Sequence, residues 1–418
     1  MFGAEESGTA VANLHGRRMG DGDAPTPDSV LVMSMPVLKP ATRDYRLALL
    51  AVLAAFQWAW LPRAIPQLKG GDFGIFYRSA ASATPYVADP MNPTTSAGEP
   101  LPNLNPPHFL LVLKPLTWLP LSVASAVWWT VSCGLVVSGL TWWLRSQGER
   151  WTAEAVVWAL LWMPVLTVAF TGQVTAVVGV PLWFAYRNLA GGRPWRGGLW
   201  AGVVLSIKPI LWPIGAWYLV RRAWPAVAGM VVGACSMVVI GIAAYGLDMY
   251  REWLRTLAAI SWGPEIMNTS VRAIMARLPV HVPPAIWMST AIAIVLWTVW
   301  RTRLWEVKDS WFPLMAASLL ASPLGWIHYG AWLLPGTRLR AWTRGIARGW
   351  CLPVIVVAFL GNANPVFWAT IGSWYGCTLL ALWWRSLKTI DGRQTDIDVV
   401  DARHSHGFFK LARHRSAC

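Results

Sequence analysis

Apolar residues in this chain fall in long runs, not in the alternating or one-sided patterns of soluble strands and helices. The runs lie near 45–62, 121–144, 151–170, 174–189, 196–208, 209–220, 224–246, 282–300, 311–322, 326–337, 350–361 and 366–384. They predict an all-α polytopic membrane protein with about twelve transmembrane helices. A further apolar piece, 106–119, contains Lys114-Pro115 and ends at Pro120. It falls short of the ~20 residues that a span needs, so it reads as re-entrant or interfacial.

Loop charge sets the orientation, because Lys and Arg gather on the cytoplasmic side. With the N-terminus inside and 106–119 not crossing, the cytoplasmic segments are 1–44, 145–150, 187–196, 221–222, 301–308, 338–348 and 385–418. Together they hold 25 of the 35 Lys and Arg. A crossing at 106–119 would turn the basic clusters at 187–196 and 338–348 outward. The expected protein is therefore a multi-pass protein of the cytoplasmic (inner) membrane with both termini in the cytoplasm. A disordered polar tail, 1–44, and a basic tail, 386–418, flank a membrane domain over 45–385. Two large loops, 63–120 and 247–281, face outward. Within them, 72–83 suits a short helix capped by Asp72. Residues 248–260 carry apolar positions at helical spacing with two Arg, as an interfacial helix does.

Composition narrows the class further. The 418 residues are 55% hydrophobic and only 13% charged, with a mean hydropathy of +0.43. A soluble domain runs nearer ~25% charged, so soluble enzymes, zinc-finger arrays and secreted disulfide scaffolds are excluded. The net charge of +15 belongs to loops that orient the chain and meet anionic lipid; the lipid bilayer is the partner, and no nucleic acid is expected. Five scattered Cys without a CxxC give neither a disulfide framework nor a metal site. His404, His406 and His414 read as solvated residues of the tail. Many of the 31 Trp fall at span ends, where an interfacial aromatic belt is expected: Trp58, Trp60, Trp142, Trp143, Trp151, Trp195, Trp200, Trp224, Trp300, Trp305, Trp342, Trp383 and Trp384.

The few polar residues at membrane depth then stand out, since each is costly there. Lys208 lies between two short apolar runs and directly before the helix-breaking Pro209. Broken helices expose backbone ends to polar ligands, and a compact ammonium suits phosphate. Snorkelling to the interface explains Lys208 equally well. Gln173, in Thr-Gly-Gln, and His328, after Pro323 and Gly325, mark the outer ends of other runs. His328 reads either as a packing residue or as part of a site. In the orientation drawn from loop charge alone, Asp72, Gln173, Lys208, Asn268 and His328 all map to the outer face from five separate segments. A transporter or flippase of a lipid-linked sugar would show internal repeats and polar residues tracking through the bilayer; neither is visible. A non-catalytic envelope scaffold would not need this convergence. The glycine pairs 191–192 and 197–198 lack the strand–turn–helix context of a phosphate loop.

These residues also form an ordered set of motifs. They are Asp72-Phe-x-x-Phe76-Tyr77, Pro85-Tyr86, Asn105-Pro106-Pro107, Gly172-Gln173, Ile207-Lys208-Pro209, Asn268-Thr-Ser270, and Ser322-Pro323 ahead of His328-Tyr329. Order and spacing resemble glycosyltransferase family 87 over roughly 45–385. That family contains polyprenyl-phosphate-mannose-dependent alpha-mannosyltransferases of the phosphatidylinositol-mannoside type. The resemblance implies the GT-C membrane fold, with short outer-face juxtamembrane or re-entrant helices. It implies a membrane hexosyltransferase that moves a hexose, mannose in that family, with inversion, from a polyprenyl-phosphate sugar donor to a glycolipid or envelope glycan acceptor on the outer face.

In that reading Asp72 is the general base; its alternative role is a helix N-cap. Lys208 and His328 stabilise the charge that develops on the leaving phosphate. Tyr77, Arg78, His108, Gln173, Asn268 and Trp326 are further substrate-binding candidates. Trp262 and Trp326 suit stacking on sugar faces. No Asp-x-Asp cluster of a nucleotide-sugar enzyme stands out in the membrane domain, so no metal and no cofactor are expected. The family often has a Tyr before the Pro-Pro pair. This chain has Leu104-Asn105-Pro106-Pro107-His108 instead, in a loop that the resemblance implies to lie near the acceptor.

Overall fold

A computed structural model describes residues 40–64, 71–94, 100–260, 267–337 and 373–388. The expectations for most of the two tails, the run 350–361, Trp262, Trp342 and the three tail histidines lie outside the described residues. The chain divides into two units, Met1–Asp44 and Tyr45–Cys418, and the site described below belongs to the second.

Among the described residues the regular structure is helical, with two isolated bridges, Thr94 to Pro100 and Asn268 to Trp326. In chain order the helices are α1 (Pro40–Ala64), α2 (Gly71–Ala81), α3 (Pro107–Leu113), α4 (Leu121–Ser146), α5 (Ala153–Leu161), α6 (Met163–Thr171) and α7 (Thr175–Ala190). Then come α8 (Pro194–Ile207), α9 (Trp212–Val220), α10 (Trp224–Ala258), α11 (Val271–Ala276), α12 (Pro284–Thr302), α13 (Val307–Ala321) and α14 (373–388). Tight 3-10 segments cover Lys114–Trp118, Pro209–Leu211 and Ile327–Gly336. Proline opens α3, α8 and α12, at the position where its missing N–H costs nothing.

By length and composition, α4, α10 and α12 can each cross a membrane. The pair α5 and α6, bent by 61°, makes a fourth if taken as one span. The bend falls at Trp162-Met163-Pro164, inside a run that reads as continuous in the sequence. The other apolar runs form shorter helices. Piece 106–119 becomes the 7-residue α3 followed by a 3-10 turn, a helix of ~10 Å. The chain is a multi-pass membrane protein.

Gly246, at φ 77° and ψ 167°, interrupts α10 where the run 224–246 ends. The part beyond it, 247–258, corresponds to the expected interfacial helix. Glycine also sets the packing of α8 on α10. A Cβ on Gly198 would lie 2.0 Å from the Ala226 carbonyl oxygen, and one on Gly202 would lie 2.1 Å from that of Met230. From the other side, Cβ atoms on Gly229 and Gly233 would meet the carbonyls of Trp195 and Leu199 at 2.3 and 2.2 Å. Small residues four apart on both helices bring the backbones into direct contact.

The core gathers around α13, whose residues from Ser310 to Leu320 are all buried. Tryptophan does more there than the sequence suggests. Trp151, Trp195, Trp224, Trp300 and Trp384 are exposed, as a belt requires. Trp143, Trp305 and Trp383 instead pack inside. Trp143 donates to the Thr337 carbonyl at 2.8 Å, and Trp383 to the Thr298 hydroxyl at 2.8 Å. A buried indole needs such a partner, and span-end position alone does not reveal one.

Candidate active site

The acid of the site comes from α2. Asp72 is the second residue of that helix, inside its first turn and not its cap; a negative charge is favoured there. The helix buries Phe73, Gly74, Ile75 and Phe76, and Phe73 stacks on Trp128 of α4 at 5.4 Å. Opposite it, α6 ends on Gly172 at φ +69°, a left-handed conformation that glycine adopts without strain. A Cβ on Gly172 would lie 2.7 Å from Cβ of Phe73. The Gly172 carbonyl accepts from the Trp128 indole at 2.7 Å. This turn aims Gln173 at the acid: its Nε2 donates to Asp72 Oδ2 at 2.5 Å. The Thr171 hydroxyl, which donates to the Thr167 carbonyl at 2.8 Å, lies near the same carboxyl group. Burial pushes Asp72 up to about 6, the larger effect. The bond from Gln173, the nearby Thr171 hydroxyl and the charge of Lys208 pull the other way.

The cation stands where α8 stops. Pro209 cannot continue the helix, and Lys208 leaves it at φ −130°, ψ 86°. The side chain is buried. Its Nζ donates to Asn105 Oδ1 at 2.9 Å and lies 5.5 Å from the Tyr329 ring centroid. Among the described residues it forms no direct ion pair, although Asp72 and His328 both feel its charge.

The imidazole depends on a turn that Asn268 holds. Asn268 Nδ2 donates to the Pro323 carbonyl at 3.0 Å, and its Oδ1 accepts from the Gly325 N–H at 3.0 Å. The Thr269 N–H donates to the Gly325 carbonyl at 2.8 Å, and the Ile327 N–H to that of Met267 at 2.9 Å. Gly325 fits because a Cβ would lie 2.1 Å from the Leu319 carbonyl oxygen. From this turn the chain enters a 10-residue 3-10 helix, well beyond the ~4 residues usual for that geometry. Its Trp332 indole donates to the Thr175 carbonyl at 3.1 Å. His328, buried, lies against Trp326 at 6.2 Å and edge-on to Tyr329 at 4.4 Å. Its Nε2 has no hydrogen-bond partner among the described residues.

Asp72, Gln173, Lys208 and His328 thus come together, with Trp326 beside His328. Asn268 supports the turn that leads to His328. Tyr77 and Arg78 face elsewhere from α2. The Tyr77 hydroxyl donates to the Leu119 carbonyl at 2.7 Å, and Arg78 donates to Asn92 Oδ1 at 2.7 and 2.9 Å. His108 Nδ1 and the Tyr250 hydroxyl are hydrogen-bonded at 2.8 Å, which joins α3 to the segment beyond Gly246. Sequence reasoning gave no role to Thr171, Asn105 or Tyr329. Asn105 and Tyr329 stood inside quoted motifs, but nothing in the sequence tied either of them to Lys208.

The class is therefore an all-helical membrane protein that groups one acid, one ammonium and one imidazole where its helices break. Residues 103–334 match the family model described as Glycosyltransferase family 87; the chain belongs to this family and is a glycosyltransferase. It is 24% identical over 331 residues to a polyprenol-phosphate-mannose-dependent alpha-(1-2)-phosphatidylinositol mannoside mannosyltransferase of Mycobacterium tuberculosis (strain ATCC 25618 / H37Rv), covering 70% of this chain and 74% of the relative. It is 25% identical over 396 residues to a polyprenol-phosphate-mannose-dependent alpha-(1-2)-phosphatidylinositol pentamannoside mannosyltransferase of Mycobacterium tuberculosis (strain CDC 1551 / Oshkosh), covering 84% and 87%. A relative of the latter description from Mycolicibacterium smegmatis (strain ATCC 700084 / mc(2)155) is 27% identical over 309 residues, covering 66% and 72%. No solved structure matches the chain significantly.

Proposed function

We propose that this chain transfers mannose, with inversion, from a polyprenyl-phosphate donor to a hydroxyl of a glycolipid or envelope glycan on the outer face of the membrane. One observation carries the reading: the Gln173-bound carboxyl group of Asp72 lies within the field of the buried Lys208 ammonium. The donor class follows that of the relatives, whose names specify polyprenol-phosphate-mannose.

The chemistry is one displacement. The acceptor hydroxyl oxygen attacks the anomeric carbon from the side opposite the phosphate, and Asp72 takes its proton. The bond from the anomeric carbon to the phosphate oxygen breaks, and polyprenyl phosphate leaves with the electron pair. Lys208 and His328 meet the charge gathering on that phosphate; fixed donors in a water-poor site are worth several kcal/mol at this step (about 3 for one donor). Trp326 offers a sugar-stacking face. The apolar runs are arranged as about twelve crossings in a GT-C-type fold, with both termini in the cytoplasm and the site outside.

The test is a donor panel with purified protein and phosphatidylinositol mannosides as acceptors. Polyprenyl-phosphate-mannose should be used and nucleotide-linked mannose refused, and the product should carry the anomeric configuration opposite to the donor's. A retained configuration, or no transfer from any polyprenyl-phosphate sugar where a family relative is active, contradicts the reading.

A further inference from the structure

Lysine is a poor holder of position: it is a point charge on a flexible stem with ~2 kcal/mol of rotamer entropy. A buried lysine that has to meet one phosphate needs something to aim it. The structure assigns that task to Asn105: it is a positioning residue that holds the Lys208 ammonium in place for the donor phosphate. This inference rests on the reaction proposed above and adds a residue to it.

An ammonium has three N–H donors and no acceptor. One is taken by Asn105 Oδ1 at 2.9 Å, and the Tyr329 ring borders the group at 5.5 Å. Since Lys208 forms no ion pair among the described residues, donors remain for a phosphate oxygen.

Asn105 is itself fixed from three sides, unlike an ordinary loop asparagine. It is only 1% exposed. Its backbone N–H and its side-chain Nδ2 both donate to Asn103 Oδ1, at 3.0 and 3.1 Å. That second bond sets the amide orientation and leaves Oδ1 for the lysine. Its carbonyl accepts from the Tyr86 hydroxyl at 3.0 Å. The preceding carbonyl, of Leu104, accepts from the Trp253 indole at 3.1 Å, so the segment beyond Gly246 braces the same loop. Pro106 and Pro107 follow directly and stiffen the chain at that point. The result is a rigid acceptor 103 positions upstream of the lysine it orients.

The experiment compares steady-state kinetics of the full-length wild type, Asn105→Ala and Asn105→Asp, with donor and acceptor varied separately. Asn105→Ala should raise the KM for polyprenyl-phosphate-mannose by about tenfold, the worth of a hydrogen bond to a charged group. The acceptor KM should stay within about twofold, and kcat should fall far less than the donor KM rises. Asn105→Asp keeps an oxygen acceptor for the ammonium but sets a carboxylate against it, which pairs with the charge meant for the phosphate and repels the donor. It should raise the donor KM at least as much as Asn105→Ala does, with the acceptor KM again within about twofold. Thermal unfolding in detergent identifies a folding defect. Three results overturn the inference: an unchanged donor KM in Asn105→Ala; equal loss for donor and acceptor; or equal loss in both variants together with a lower Tm, which would mark a purely structural residue. If the wild type transfers nothing from the donor, the reaction itself is wrong and the inference falls with it; only this outcome touches the parent reading.

Discussion

A carboxylate that accepts a proton must enter the reaction ionised. Burial holds Asp72 near 6, so the ionised fraction falls as pH drops below that value. The predicted kcat/KM is flat above about pH 7 and declines about tenfold per unit below about pH 6. Gln173 bonds the charged form and so lowers the Asp72 pKa. Removing it in Gln173→Ala should move the acid limb to higher pH, measurable from pH–rate profiles of the two proteins; an unmoved limb would separate Gln173 from the base. Residue chemistry of this kind was partly legible in the sequence. Asp72, Gln173, Lys208 and His328 stood out because polar groups are rare in apolar runs. Asn105 stood in the Asn-Pro-Pro motif without a role of its own, because its partner lies 103 positions away.

Elements were legible wherever length and a breaker agreed. The run 224–246 ends where Gly246 leaves helical geometry, and the stop at Pro209 separates α8 from the 3-10 turn that follows. Two elements were not. The run 151–170 bends by 61° in its middle, and 326–337 winds as a 3-10 helix. The bend coincides with Pro164, a local breaker, and the 3-10 segment is tied to a distant one by the Trp332 indole on the Thr175 carbonyl. The α8–α10 contact yields a paired prediction. Gly198→Ala drives a Cβ to within 2.0 Å of the Ala226 carbonyl and should destabilise the protein by about 1–3 kcal/mol, as overpacking does. Gly139→Ala on α4 meets nothing within 4 Å and should be neutral or gain up to about 1 kcal/mol from helix propensity. Thermal unfolding in detergent compares them; equal Tm values would refute the close approach of α8 and α10.

Across the whole molecule, loop charge and the outer convergence of polar residues make one topological statement. In a background with the five native Cys replaced by Ser, a membrane-impermeant maleimide should label Ser82→Cys in intact cells. It should label Arg193→Cys only after permeabilisation; both positions are exposed, and the reverse pattern would invert the orientation. The family assignment and the half-buried acid within the field of a buried cation then reduce to one claim, that Asp72 is the base of a polyprenyl-phosphate-dependent transfer. The most direct measurement is single-turnover transfer from polyprenyl-phosphate-mannose by purified wild type and Asp72→Asn, with donor affinity measured in parallel. Transfer should fall by about 100-fold or more, the usual contribution of a general base, while donor affinity stays within a few-fold. An Asp72→Asn protein that retains more than about a tenth of the wild-type rate would contradict the assignment.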